Sequence, residues 1–120
     1  MHERPGELLV RGSILFPPDL RPFRDATVRV RLEDVSRADA PATLIQEHVQ
    51  ENVSLETGPA RLAFELHGSL PDPRAEYAVR VHVDLDGDGQ ITREDYISTS
   101  HYPVPASGGP TSMDITVRRV

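Results

Sequence analysis

The sequence predicts an all-β fold, an antiparallel β-sandwich of about seven strands. Apolar and polar residues alternate along several segments, and this period of two is typical of strands that bury one face. Runs rich in Gly, Pro and Asp separate the segments and are typical of turns. Short strands that follow one another at intervals of roughly a dozen residues favour a sandwich.

Each strand is predicted from the same alternation. In residues 26–33 the side chains of Ala26, Val28, Val30 and Leu32 point to one side, and polar residues occupy every position between them. This pattern is typical of a half-buried antiparallel strand. Four more segments repeat it, with the inward-facing sets Val10, Gly12, Ile14 and Phe16; Leu62, Phe64 and Leu66; Tyr77, Val79, Val81 and Val83; and Met113, Ile115 and Val117.

Residues 42–55 are open to two interpretations. Ile45, Val49 and Val53 follow one another at a spacing of four, and Pro41 suits the first turn of a helix. The same three residues, together with Leu55, also form one face of a strand. Because strands flank the segment and a sandwich needs a partner for each edge, the strand is the favoured prediction.

The chain of 120 residues has the length of one domain, and no change in composition marks a linker. We therefore predict a single domain over residues 1–120, with residues 1–6 disordered. No apolar run is long enough to span a bilayer or to form the core of a signal peptide, which predicts no membrane insertion by this chain. Either a cytoplasmic location or the removal of an export signal agrees with this pattern.

The composition excludes several kinds of chemistry. The sequence has no cysteine, and all 13 basic residues are arginine. Disulfides, thiolate nucleophiles, cysteine zinc sites and lysine Schiff bases are therefore excluded. The formal net charge of -6 argues against nucleic acid as a partner, because neutralising phosphates requires a basic face.

Residues 84–95 match the spacing of the twelve-residue calcium loop. Acidic residues stand at loop positions 1, 3 and 5, a glycine at 6 and a carboxylate at 12. Ile91, at position 8, is expected to pack toward the core. Asp95 stands where glutamate is usual, and its shorter side chain predicts a reduced affinity. The predicted ligands are Asp84, Asp86, Asp88, the carbonyl group of Gln90, Thr92 and Asp95.

The alternative for this loop is an acidic hairpin that binds no ion, since Asp and Gly are favoured in turns in any case. Five carboxylates and one arginine among twelve residues are unfavourable without a cation. We therefore predict a structural calcium ion. Residues 77–83 have the period of a strand rather than of a helix, so the loop joins two strands, unlike the loop of an EF-hand.

No other group of residues predicts a reactive site. His67, His82 and His101 are predicted to point outward from strands into solvent, and no close pair of histidines favours zinc or copper. No serine lies in a nucleophile elbow, so an enzyme is not expected. A hydrolase that uses calcium electrostatically would have only Tyr96, Ser98 and His101 near the predicted calcium loop of residues 84–95.

One stretch resembles a known family more specifically than its periodicity requires. The sequence Val-Arg-Leu-Glu-Asp-Val-Ser-Arg-Ala-Asp-Ala-Pro at residues 30–41 resembles the YscW/YbaY type of bacterial lipoprotein domain. Residues 59–66 and 72–80 agree, and the similarity covers roughly residues 8–104. The resemblance implies a small, non-enzymatic β-sandwich in the periplasm or cell envelope, whose best-known relatives assist the assembly of a type III secretion channel. It also favours a strand for residues 42–55.

Two functions follow from these expectations. The first is a calcium-stabilised β-sandwich that serves as a non-catalytic interaction or structural module of the bacterial envelope. The second is a pilotin-like chaperone that captures an extended peptide of a secretion-system partner on a sheet edge.

Overall fold

The computed structural model describes residues 6–37, 39–56, 60–106 and 109–120. All regular structure in these ranges is strand. The described residues accordingly contain no helix that could cross a membrane. The expected disorder of residues 1–6 concerns residues outside these ranges, except for Gly6. The strands are β1 (Glu7–Leu15), β2 (Phe23–Asp34), β3 (Thr43–Leu55), β4 (Arg61–Gly68), β5 (Tyr77–Asp84), β6 (Tyr96–Ser98), β7 (Pro103–Val104) and β8 (Thr111–Arg119).

The strands form one mixed sheet in the order β3-β2-β5-β6-β8-β1-β4, and β7 pairs with β5 outside this path. All-β is therefore confirmed, but the antiparallel sandwich is wrong. Residues 10–15 of β1 pair in parallel with residues 111–116 of β8, whereas residues 117–119 of β8 pair with β6. Because β8 belongs to both ladders, it joins the two halves into a single, nearly closed barrel-like sheet.

The inward-facing residues predicted for β2 do fill the core. Ala26, Val28, Val30 and Leu32 are each at most 1% exposed. They pack with apolar side chains of β1, β4, β5 and β8. β5 differs from the other strands because nearly every residue in it is buried. At His82 and Asp84, near the end of β5, the segment that covers the outer face is the acidic loop, residues 85–95.

Three aromatic rings pack together in the core. The ring centroids of Phe16 and Tyr96 are 5.7 Å apart in an edge-to-face arrangement, and Phe23 lies 6.0 Å from Phe16 and 6.2 Å from Tyr96. The hydroxyl group of Tyr96 accepts a hydrogen bond from the backbone N–H of Arg21 at 3.2 Å. The first residue after the acidic loop is therefore fixed in the core by its ring and by its hydroxyl group.

β3 is a strand, as favoured, but the predicted apolar face is wrong. Val49 lies opposite Arg29 on the outer face, whereas Val53 lies opposite Ala26 on the inner face. The register shifts between these two positions, where Asn52 has a φ of 58°. An extra residue of this kind is a β-bulge, which reverses the inward and outward positions beyond it. The spacing of apolar residues could not indicate this shift.

β1 and β8 can pair closely because position 12 has no side chain. A Cβ atom at Gly12 would overlap the carbonyl oxygen of Met113 and stand 3.2 Å from the ring of Phe64. We expect Gly12→Ala to destabilise the protein by about 1–3 kcal/mol, since backbone must move to admit the methyl group. Urea unfolding measures this, with Ala63→Val at an exposed position of β4 as the control. Equal stability of the two variants would contradict the tight contact.

Candidate functional site

The acidic loop, residues 85–95, folds over the outer face of β5. His82 and Asp84 alternate with the inward-facing Val81 and Val83, so the strand directs them outward. They are nevertheless buried, with exposures of 7% for His82 and 0% for Asp84, and Asp95 at the far end of the loop is 1% exposed. A group of buried charged and polar side chains therefore lies between the loop and the sheet.

Asp84 organises the first half of the loop. Its carboxylate accepts hydrogen bonds from the backbone N–H groups of Gly87 at 3.0 Å and Gly89 at 2.7 Å. Both glycines have positive φ, 71° and 80°, a conformation that glycine adopts without strain. The guanidinium group of Arg29, on β2, lies 3.3 Å from the same carboxylate.

These contacts keep Asp84 ionised although it is buried. Burial raises the pKa of Asp84, but the hydrogen bond from Gly89 and the contact with the Asp86 carboxyl group outweigh this effect. The net pKa of Asp84 is lower than its ordinary value. A buried carboxylate is tolerated when hydrogen bonds and an opposite charge replace its lost hydration, and Asp84 has both.

Asp95 organises the second half of the loop. One oxygen accepts the N–H of Leu85 at 3.0 Å, and the other accepts the N–H of Thr92 at 3.1 Å and contacts Nε2 of His82 at 2.8 Å. The prediction that His82 is solvated is therefore wrong. His67 and His101 have more access to solvent. Asp95 connects both ends of the loop to β5, so the loop and the strand form one unit.

The structure brings together some of the predicted calcium ligands. Oxygen atoms of Asp84, Asp86 and Asp88 lie within 4.8 Å of one another, and Asp84 also forms such a group with His82 and Asp95. Asp95 itself contacts His82, and both of its carboxylate oxygens already accept hydrogen bonds within the protein.

The remaining predicted ligands lie on the surface of the loop. Gln90 and Thr92 are exposed, and their backbone N–H groups donate to the carboxylates of Asp88 and Asp95 respectively. Ile91 is 56% exposed, so the expectation that it packs toward the core is wrong.

The carboxylates of the loop repel one another in part. Contact with the Asp84 carboxyl group, burial and the neighbouring Asp88 together raise the pKa of Asp86 above its ordinary value. A cation between these groups would relieve this repulsion. Arg29 already supplies one positive charge to Asp84, however, and it would weaken the attraction for a second cation. Oxygen atoms of Asp84, Asp86 and Asp88 therefore converge, but both oxygens of Asp84, like those of Asp95 at position 12, already accept hydrogen bonds.

The three residues that a hydrolase would need have structural contacts of their own or are exposed. The Tyr96 hydroxyl group accepts the N–H of Arg21, and the Ser98 hydroxyl group accepts the N–H of Val81 at 2.9 Å. His101 is exposed. In the described part of the chain, no hydrogen bond joins a serine to a histidine.

A second candidate site is the outer edge of β3. β3 and β4 are the two terminal strands of the sheet, and no ladder of hydrogen bonds joins them among the described residues. They approach each other near Gln46, whose side chain lies against Gly68. Beyond this point residues 48–52 are all exposed. We call this stretch, His48–Asn52, the β3 edge.

Both faces of the β3 edge are open to solvent. His48 and Gln50 lie opposite Val30 and Val28, so they occupy inward positions of the sheet, yet they are exposed. β4 therefore leaves the inner face of this stretch uncovered. On the outer face Val49 is 40% exposed, and Leu44, nearer the start of the strand, is 44% exposed. Unpaired backbone and exposed apolar side chains on one strand are typical of a site that can accept another strand.

Sequence reasoning did not identify Arg29 or His82 as part of the acidic loop site. Their alternation with buried residues indicates only that they point outward. The β3 edge was not predicted either, although polar residues on both faces of residues 46–52 are a pattern that does not fit a strand buried on one side.

These features define a small all-β domain with an open sheet edge and a loop that buried charges hold in place. Comparison with protein families matches residues 6–117 to the family described as type III secretion system lipoprotein chaperone (YscW). The chain therefore belongs to this family, which confirms the resemblance found at residues 30–41.

A solved structure has the same fold. It is described as an alternative pilotin from the type II secretion system of Vibrio cholerae, with a TM-score of 0.64 and 24% sequence identity. The match covers 92% of this chain and 95% of that chain. A comparison with curated proteins found no match.

The contacts of Asp95 predict a large effect of its removal. We expect Asp95→Ala to lower the free energy of unfolding by roughly 2–4 kcal/mol, because His82 and two backbone N–H groups lose their acceptor. Asp88→Ala is the control, since Asp88 is exposed and accepts one backbone hydrogen bond. Urea unfolding in the presence of a chelator compares the two. Similar losses for both variants would show that the buried contacts do not fix the loop.

Proposed function

We propose that this protein is a non-catalytic, pilotin-like chaperone that binds an extended segment of a secretion-system protein in the bacterial cell envelope. The observation that carries the proposal is membership of the YscW family over residues 6–117. The shared fold with a solved pilotin agrees with it. The β3 edge supports the extended form of the bound segment, since an open strand binds another strand through main-chain hydrogen bonds.

The described residues suit a binding role. The polar groups of His82, Asp84 and Asp95 are hydrogen-bonded to the protein itself, and they hold the acidic loop rather than face a cavity. The exposed backbone of the β3 edge, in contrast, is available to a partner. A chaperone of this kind needs a stable scaffold and one open surface, and the sheet supplies both.

Deletion of the gene tests the proposal in the source bacterium. We expect loss of the protein to reduce the amount of assembled secretion channel in membrane fractions, because unassembled subunits lose their chaperone. Expression of the unaltered chain from a plasmid should restore assembly. Site-specific cross-linking from position 49 should also capture a subunit of the same secretion system. Normal channel assembly in the deletion strain would overturn the proposed function.

We propose further that the acidic loop binds a structural calcium ion through Asp84, Asp86 and Asp88. The convergence of these carboxylates within 4.8 Å and the raised pKa of Asp86 support this proposal. The ion would stabilise the connection between β5 and β6 without taking part in chemistry. Because Arg29 neutralises part of the site and Asp95 bonds His82, the affinity is expected to resemble that of weak extracellular calcium modules, with a Kd of about 10⁻⁴ M.

Thermal unfolding tests the calcium site. At 10 mM calcium a site with this affinity adds about 2.7 kcal/mol to the stability of the folded protein, which raises Tm by roughly 10 °C. Magnesium at the same concentration controls for ionic strength. The variant Asp86→Asn should lose most of the rise, whereas Asp114→Asn, outside the loop, should keep it. An unchanged Tm of the unaltered protein at 10 mM calcium would rule out the ion.

A further inference from the structure

We infer that the segment bound by this protein is a strand that pairs with the β3 edge and carries basic and apolar side chains in turn on one face. The inference rests on the proposed function and gives the bound segment a chemistry. Three observations carry it: the unpaired backbone of His48–Asn52, the exposed Val49 on its outer face, and the charges of β3. Each restricts what can occupy the edge.

The backbone requires an extended occupant. β3 pairs with β2 on one side, and among the described residues no strand pairs with its other side. Residues 48–52 are exposed on both faces, so an incoming strand meets no side chain that covers them. A strand bound here continues the sheet beyond β3 and lies between β3 and β4. It would thus extend the nearly closed sheet by one strand.

The outer face of β3 determines which side chains fit. Within the β3 edge, Val49 lies opposite Arg29 of β2 and is therefore on the outer face, and Glu51 follows it on the same face by alternation. Directly opposed residues of neighbouring strands interact, and apolar pairs and pairs of opposite charge are both favourable. An incoming strand with an apolar residue beside Val49 and a basic residue beside Glu51 therefore matches this face.

The charge of β3 has one sign. β3 contains Glu47 and Glu51 but no arginine or lysine, and Glu56 follows directly after it. Arg31 pairs with Glu47 at 3.2 Å. Neither Glu51 nor Glu56 forms an ion pair with any other described residue. The surplus negative charge at the edge attracts a basic strand and disfavours an acidic one.

The same charges argue against a second copy of this chain as the occupant. Antiparallel pairing of two β3 strands would bring two acidic strands together without an arginine or lysine on either of them. Like charges on adjacent strands are destabilising. β4 is a poorer docking edge for a basic strand, because its Glu65 already contacts Arg11 at 3.9 Å and His67 at 3.0 Å.

Synthetic peptides test the inference with the complete protein. The probe is a fluorescent nine-residue peptide with valine and arginine in turn at odd positions and threonine at even positions. A second peptide has glutamate in place of arginine, and a third has the first sequence with N-methyl groups on alternate backbone nitrogens. We expect the arginine peptide to bind, the glutamate peptide to bind at least tenfold more weakly, and N-methylation to weaken binding by roughly tenfold because main-chain hydrogen bonds are lost.

Matched charge reversals locate the site. Glu51→Arg should weaken binding of the arginine peptide by roughly fivefold or more and strengthen binding of the glutamate peptide. Asp88→Arg makes the same change of charge on the acidic loop and should alter binding less than twofold. Val49→Thr, which keeps the side-chain shape and adds no charge, should also weaken binding, since it replaces an apolar contact with a polar one.

Three results would overturn the inference. They are no binding of the arginine peptide, equal effects of Glu51→Arg and Asp88→Arg, or binding that N-methylation does not change. Sedimentation of the free protein as a dimer that Glu51→Arg alters would instead assign the edge to a second copy. Each of these results leaves the proposed function in place if the deletion strain fails to assemble its secretion channel. The peptide and deletion experiments therefore fail independently.

Discussion

The parallel contact between β1 and β8 at Gly12 is the constraint on which the rest of the fold depends. It joins a three-stranded portion, β4-β1-β8, to the remaining strands, because β8 continues from β1 onto β6. With this junction in place, β3 and β4 become the terminal strands of one curved sheet. The sheet therefore has two edges, one on β3 and one on β4, whereas a sandwich of two separate sheets would have four.

The acidic loop lies on the outer face of the same sheet, and its structure follows from β5. His82 and Asp84 project outward from β5 and would face water on an ordinary surface strand. The loop instead turns its backbone N–H groups toward Asp84 and its own Asp95 toward His82. Arg29 completes the group from β2. The covered charges hold the loop against β5, whereas the β3 edge stays uncovered on the far side of β2.

Much of the fold could be predicted from the sequence because burial on one face produces a regular alternation. This was sufficient for β2, where Val28, Val30 and Leu32 are buried as expected, and for the position of the acidic loop after β5. Alternation carries no information on which strands are neighbours, so the parallel pairing of β1 and β8 was missed. It also fails at bulges, where a residue such as Asn52 shifts the register. His82 was misassigned because the loop that buries it contributes nothing to the period of its strand.

The pairing of β1 with β8 also has a consequence for the order of folding. Val10 and Thr111 lie opposite each other although about a hundred residues separate them in the chain, and contacts of this sequence separation are slow to form because a long loop must close first. The hairpin of β2 and β3 can form early because its residues are close in sequence. The pairing of β1 with β8 can form only after the end of the chain has reached β1. Until β8 arrives, the chain has two unconnected sheets and more free edges than the native protein. The last strand to form thus determines when β3 and β4 become the two terminal strands of one sheet.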